Sequence, residues 1–195
     1  SIIDGKIFVT DPQLPPVPTA PTGATDLGTI NSSRTITAGS YIVSSITLHG
    51  SETLTINSSG GPVRLYVTGD ISITGSAELV HNGTLDQFAI FGLPDDGNNV
   101  NAQQFTLNGG STATNVFIYA PDAQVGINGG SSNPDIQGAV WAREWNGSSS
   151  NNAEIAVPRN IAQSLGSAFG VGFQNAGAQV TYTSPPTTWS RQEAN

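Results

Sequence analysis

Hydroxyl side chains recur two residues apart, in the pairs Thr35/Thr37, Ser45/Thr47, Thr53/Thr55 and Ser72/Thr74. Residues at that spacing share one face of a strand. If neighbouring strands aligned them, Thr35, Thr37, Thr47, Thr53, Thr55 and Thr74 would form a lattice of hydroxyls and methyls able to order water, the chemistry of ice binding. Threonine is also an ordinary solvent-facing strand residue. A second candidate is the loop Pro94-Asp95-Asp96-Gly97-Asn98-Asn99. Its closely spaced oxygens, Asp95 and Asp96 first, suit calcium, although no glutamate closes an EF-hand pattern and Asp and Asn also form turns. Glycan cleavage needs two carboxyl groups across a groove. The carboxylates here, among them Asp70, Asp86, Asp122, Asp135, Glu52, Glu78, Glu144 and Glu154, are scattered along the chain. His49 and His81 have no partner visible in sequence, and no Gly-x-Ser-x-Gly elbow occurs. No catalytic residue is therefore assigned and no enzyme is expected. Trp141 and Trp145 could stack on a sugar, or belong to a core or an interface.

Composition narrows the setting. Charged residues make up 10% of the 195 residues, against about 25% in an average soluble protein. Gly, Ser, Thr and Asn take their place, and these are poor helix formers. Net charge is −8, and the basic residues stand singly, at Lys6, Arg34, Arg64, Arg143, Arg159 and Arg191. Nucleic-acid binding wants a clustered basic footprint, so it is not expected. The absence of cysteine removes disulfides and thiol chemistry. No apolar run is long enough to span a membrane. Ser1 in place of Met is expected of a processed chain whose signal peptide or anchor has been removed. A polar, acidic, Ser/Thr-rich surface suits an extracellular or cell-surface location.

The elements that must position these groups are short strands. Between Thr35 and Val157 they follow one another closely, for example Tyr41–Leu48, Thr53–Ile56, Val63–Val67, Ile71–Thr74 and Gln124–Ile127. In Thr53-Leu54-Thr55-Ile56 and Ile71-Ser72-Ile73-Thr74 the apolar residues alternate with polar ones, the mark of a half-buried strand. Two series repeat. TLHGS at 47–51, SITGSAE at 72–78, TLNGGST at 106–112 and GINGGSS at 126–132 share one plan. RLYV, FAIF, VFIY and GAVW start at 64, 88, 116 and 138, spacings of 24, 28 and 22 residues. Repeats of that length with little helix predict an all-β fold, a right-handed parallel β-helix or solenoid, because one coil cannot bury its apolar side alone and stacked coils can. A β-sandwich is the alternative, since it also uses short strands. Gly92–Gln103 reads as an insertion at a corner, and Ala120-Pro121-Asp122-Ala123 as a turn between two strands.

Residues 1–26 read as a Pro-rich arm or linker, and 27–195 as the β-helix domain. In the arm, Ile2, Ile3, Ile7, Phe8 and Val9 form a sticky stretch. It would pack along the domain or pair with the open sheet edge of a neighbouring copy. Arg159–Phe169 carries a helical stripe, and 158–195 would form a short helix or cap closing the last coil.

At Ala38-Gly39-Ser40-Tyr41, Val67-Thr68-Gly69-Asp70, Ile118–Pro121 with Ala123, Gly138–Val140 and Thr188-Trp189-Ser190-Arg191, the chain resembles the β-helix domain at the end of bacterial PilX-type, pilus-associated surface proteins. That resemblance covers roughly residues 27–191 and carries no catalytic residues with it. It implies a structural or adhesive module of the cell surface, with self-association or a surface glycan as partner. A slighter similarity, through the Gly39–Tyr41 pattern and the Asn115-Val116-Phe117 strand, is to the ice-binding β-helix family. That family's opening segment and its unbroken Thr-x-Thr array have no counterpart here. Ice binding and polysaccharide binding or cleavage stand as the alternative functions.

Overall fold

A computed structural model describes residues 16–93, 103–108, 114–129, 134–147, 153–158 and Ile161. Ile2, Ile3, Ile7, Phe8, Val9, Asp95 and Asp96 lie outside the described residues, as does the 158–195 cap apart from Pro158 and Ile161. The described chain is an all-β solenoid of about five turns built from parallel strands.

The strands are β1 (Thr25–Ile30), β2 (Arg34–Thr37), β3 (Gly39–Leu48), β4 (Thr53–Asn57), β5 (Val63–Val67), β6 (Ile71–Ile73), β7 (Glu78–Val80), β8 (Phe88–Gly92), β9 (Gln104–Asn108), β10 (Thr114–Asn128), β11 (Ile136–Trp145) and β12 (Ile155–Ala156). They form two sheets. The larger is folded at a corner into two arms. Its first arm stacks the leading part of β3 on β5, β8, β10, β11 and β12. Its second arm stacks β1 and the trailing part of β3 on β6, β9 and the end of β10. The smaller sheet, β2-β4-β7, closes the third side.

The core is a set of register columns. Ile30, Ile46, Ile71, Phe105 and Val125 face one another across successive coils, and all are buried. Leu65, Ile90 and Ile118 do the same on the first arm, and Ile36 with Ile56 on the third side. Each such side chain contributes about 1.5–3 kcal/mol of burial free energy. The columns hold one register, because a slip of one residue would turn every apolar side chain outward.

In its middle coils, at Tyr66, Phe91 and Tyr119, the first arm is buried on its outer side too. Ile42, Tyr66, Phe91, Tyr119 and Trp141 form an outward column. Tyr66 stacks on Phe91 with ring centroids 5.2 Å apart, and Tyr119 meets Trp141 edge-on at 6.2 Å. Val17 and Ala20 from the segment before β1, and Ile161 after β12, pack over this layer. That cover explains why Leu65–Val67, FAIF and VFIY are continuous apolar runs rather than alternating ones.

The structure adds β1, a polar strand absent from the sequence reading, and joins Asn115–Tyr119 and Gln124–Ile127 into the single strand β10. The expected turn at Ala120–Ala123 is a corner at which the register shifts within the strand. Corners are held by hydrogen bonds between coils. Thr68 N donates to Val43 O at 2.9 Å, and the Gln103 amide donates to Val67 O at 2.9 Å and Gly69 O at 2.8 Å. The Gly39-Ser40-Tyr41 motif also has a local cause. The Tyr41 ring folds back over Gly39, where an added Cβ would meet the Tyr41 hydroxyl at 3.0 Å, and that hydroxyl donates to Thr37 O at 3.0 Å.

Candidate functional site

Where the third side turns into the first arm, polar side chains from several coils converge. β4 ends at Asn57 and delivers Ser58, while β7 ends at Val80 and delivers His81. The chain then turns through Asn82, Gly83 and Thr84 into one 3-10 turn, Leu85–Gln87, which leads to β8. Asn115 arrives from the start of β10. Ser58 and His81 are 5% and 1% exposed.

His81 Nδ1 lies 2.6 Å from the Asn115 carbonyl oxygen, so Nδ1 carries the proton and donates. His81 Nε2 lies 2.9 Å from Ser58 Oγ, and Ser58 Oγ lies 3.0 Å from Gln87 Oε1. Thr84 N donates to the same Gln87 oxygen at 3.3 Å, which fixes the orientation of the amide. Asn115 Nδ2 donates to Gly83 O at 2.8 Å. Gly83 lies against the centre of this network. A Cβ there would collide with Ser58 Oγ, and would come within 2.5 Å of His81 Nε2 and 2.8 Å of Gln87 Oε1. Arg64, from β5, braces the turn from outside, donating to Gln87 O at 3.2 Å and Asp86 O at 3.1 Å.

Serine beside histidine has the spacing of a nucleophile and its base. Here both are buried, and their other bonds run to the Asn115 carbonyl and the Gln87 amide of the protein itself. Burial lowers the His81 pKa from its ordinary value, partly offset by the bond to Asn115. At neutral pH the ring is therefore uncharged, and the single Ser58 hydroxyl proton is donated either to Nε2 or to Gln87 Oε1, one at a time. The network joins three coils and sets the shape of the surface above it.

That surface holds two open grooves sharing Asn82, Gly83 and Gln87. One, of about 550 Å³, is lined by Thr84, Leu85, Asn115, Gln137 and Pro158 in addition to the shared residues. The other, of about 400 Å³, runs past Thr35, Thr55, Asn57, Ser59 and Val80. Both fall in the size range of small-ligand sites, about 300–1,000 Å³. The described side chains lining them are amides, hydroxyls and aliphatic groups, with no ionisable residue among them.

The threonines are divided between faces. Thr35 and Thr55 are register neighbours on the third side, and the next position in their column is Val80. Thr37 pairs with Asn57, and Thr53 with Glu78. Thr47 lies on the second arm, in a column with Ser72 and Thr106, and Thr74 follows the end of β6. The two tryptophans also separate. Trp141, 38% exposed, continues the outward aromatic column, whereas Trp145, 45% exposed, continues the core column of Val125. Three of the described carboxylates serve local structure: Asp70 accepts from Gln104 N at 2.9 Å, Glu52 from His49 N at 2.8 Å, and buried Asp135 from Glu154 N at 2.8 Å.

Sequence reasoning left His81 without a partner, because Ser58 and Asn115 are one coil away on either side rather than nearby in the chain. The available signal was a histidine ending the apolar run Leu79-Val80, followed directly by Asn82-Gly83.

A family model for a domain of unknown function (DUF7305) matches residues 42–163, from within β3 past β12. Neither the curated proteins nor the solved structures contain a match. The match spans more than half of the 195 residues, and the chain belongs to that family.

Proposed function

We propose that this member of the DUF7305 family is a non-catalytic structural or adhesive module of the cell surface, of the pilus-associated kind that its motifs resemble. The observation that carries this reading is the unbroken register of the core columns from Ile30 to Val125. Side chains fill the interior, so the molecule works as a rigid rod and its outer faces meet the partner. A surface with few charges, on a chain without cysteine, suits display outside the cell. Self-association through Ile2–Val9 is a variant of the same reading, with the arm of one copy pairing with an open edge of another.

The test is labelling of intact source cells with antibody to this domain, followed by retention of domain-coated beads on the surfaces those cells colonise. Labelling of intact cells and bead retention are expected. Labelling only after permeabilisation, with beads that wash off, would refute the proposal.

A further inference from the structure

Resting on the adhesive reading, we propose that the joined grooves around Asn82 and Gln87 bind a neutral polyhydroxylated chain, a glycan. Sugar hydroxyls both donate and accept hydrogen bonds, and an amide side chain answers both. The larger groove presents three of them besides Gln87: Asn82, Asn115 and Gln137. Asn82 and Gln137 are exposed, and their side chains make no hydrogen bond among the described residues, so both are available to a ligand. Aliphatic Leu85, Pro158 and Val80 supply the apolar patches on which the C–H faces of a sugar ring rest.

Charge favours a neutral glycan over an acidic one. A uronate or sulfated chain wants arginine or lysine, and neither groove is lined by a described basic residue. The nearby Arg64 is half-buried and spends its guanidinium on the carbonyls of Val63, Asp86 and Gln87. The chain's net charge of −8 further disfavours polyanions. The floor is also preorganised. The Ser58–His81–Gln87 network fixes the turn that carries Asn82 and Thr84, so little ordering is left to be done on binding.

The experiment is an array of short neutral oligosaccharides with acidic ones beside them, then calorimetric titration of the best ligand. The full chain is compared with the double variant Asn82→Ala/Gln137→Ala and with Thr106→Ala on the second arm. Neutral ligands are expected to bind. The double variant should weaken binding about tenfold with an unchanged melting temperature, and Thr106→Ala should bind as the parent does. A blank array, a preference for acidic ligands, or equal affinity in the double variant would overturn the site. If coated beads still adhere to cells while the array is blank, the adhesive reading stands and the glycan groove alone falls.

Discussion

At His81 burial and hydrogen bonding oppose each other. Burial holds the ring neutral in the folded protein, whereas the unfolded chain titrates near the ordinary value of about 6.5. Between the lowered folded pKa and that value the unfolded state binds more protons, so stability rises with pH. The contribution is complete above about pH 6.5 and is lost as pH falls toward the folded pKa. Melting temperature should therefore drop between neutral and mildly acidic pH, and His81→Gln should flatten that slope. An equal slope in the variant would contradict the assignment. Gly83→Ala tests the same network sterically. Its methyl would strike Ser58 Oγ and crowd His81 and Gln87, at a cost of about 1–3 kcal/mol, read by denaturant unfolding. Neither effect was legible in the sequence, because Ser58, His81 and Asn115 meet only once the coils are stacked.

Elements were more legible than residues. Alternation in Thr53–Ile56 and Ile71–Thr74, and the recurrence of RLYV, FAIF, VFIY and GAVW, are direct products of a stack whose coils repeat. Parallel β4, β5 and β6 lie where those patterns put them. β1 escaped notice because Thr-Asp-Leu-Gly-Thr-Ile is mostly polar and lacks a clean apolar alternation; among the described residues it pairs with β3 alone. The Pro121-Asp122 corner read as a turn because the same residues serve both, and only the pairing of β10 with β9 and β11 shows that the strand continues. The outer aromatic layer was not legible, because sequence cannot tell an inner column from a covered outer one. Two substitutions measure these elements. Ile90→Ala, in the inner column, should cost about 2–5 kcal/mol. Thr55→Ala, on the outer face of the third side, should stay within about 0.5 kcal/mol. Chemical denaturation of the two variants side by side checks both.

At the scale of the whole molecule, the chain is a stack of coils held in one register, and the proposed function lies on its outer faces. The arm belongs to this scale as well. If Ile2–Val9 joins copies, removal of residues 1–11 should convert any oligomer to monomer in sedimentation, and an unchanged oligomer would exclude that route. The stack itself is open to a direct measurement, because the chain has no cysteine of its own. Ser72 and Thr106 are register neighbours on the second arm, and Thr35 and Thr55 are neighbours on the third side. Adjacent strands lie about 4.8 Å apart, within disulfide reach. Under mild oxidation, Ser72→Cys/Thr106→Cys and Thr35→Cys/Thr55→Cys should each form an intramolecular disulfide, while the mixed pair Thr55→Cys/Thr106→Cys should not. Efficient crosslinking of the mixed pair, or failure of both register pairs, would contradict the stack on which the proposed function rests.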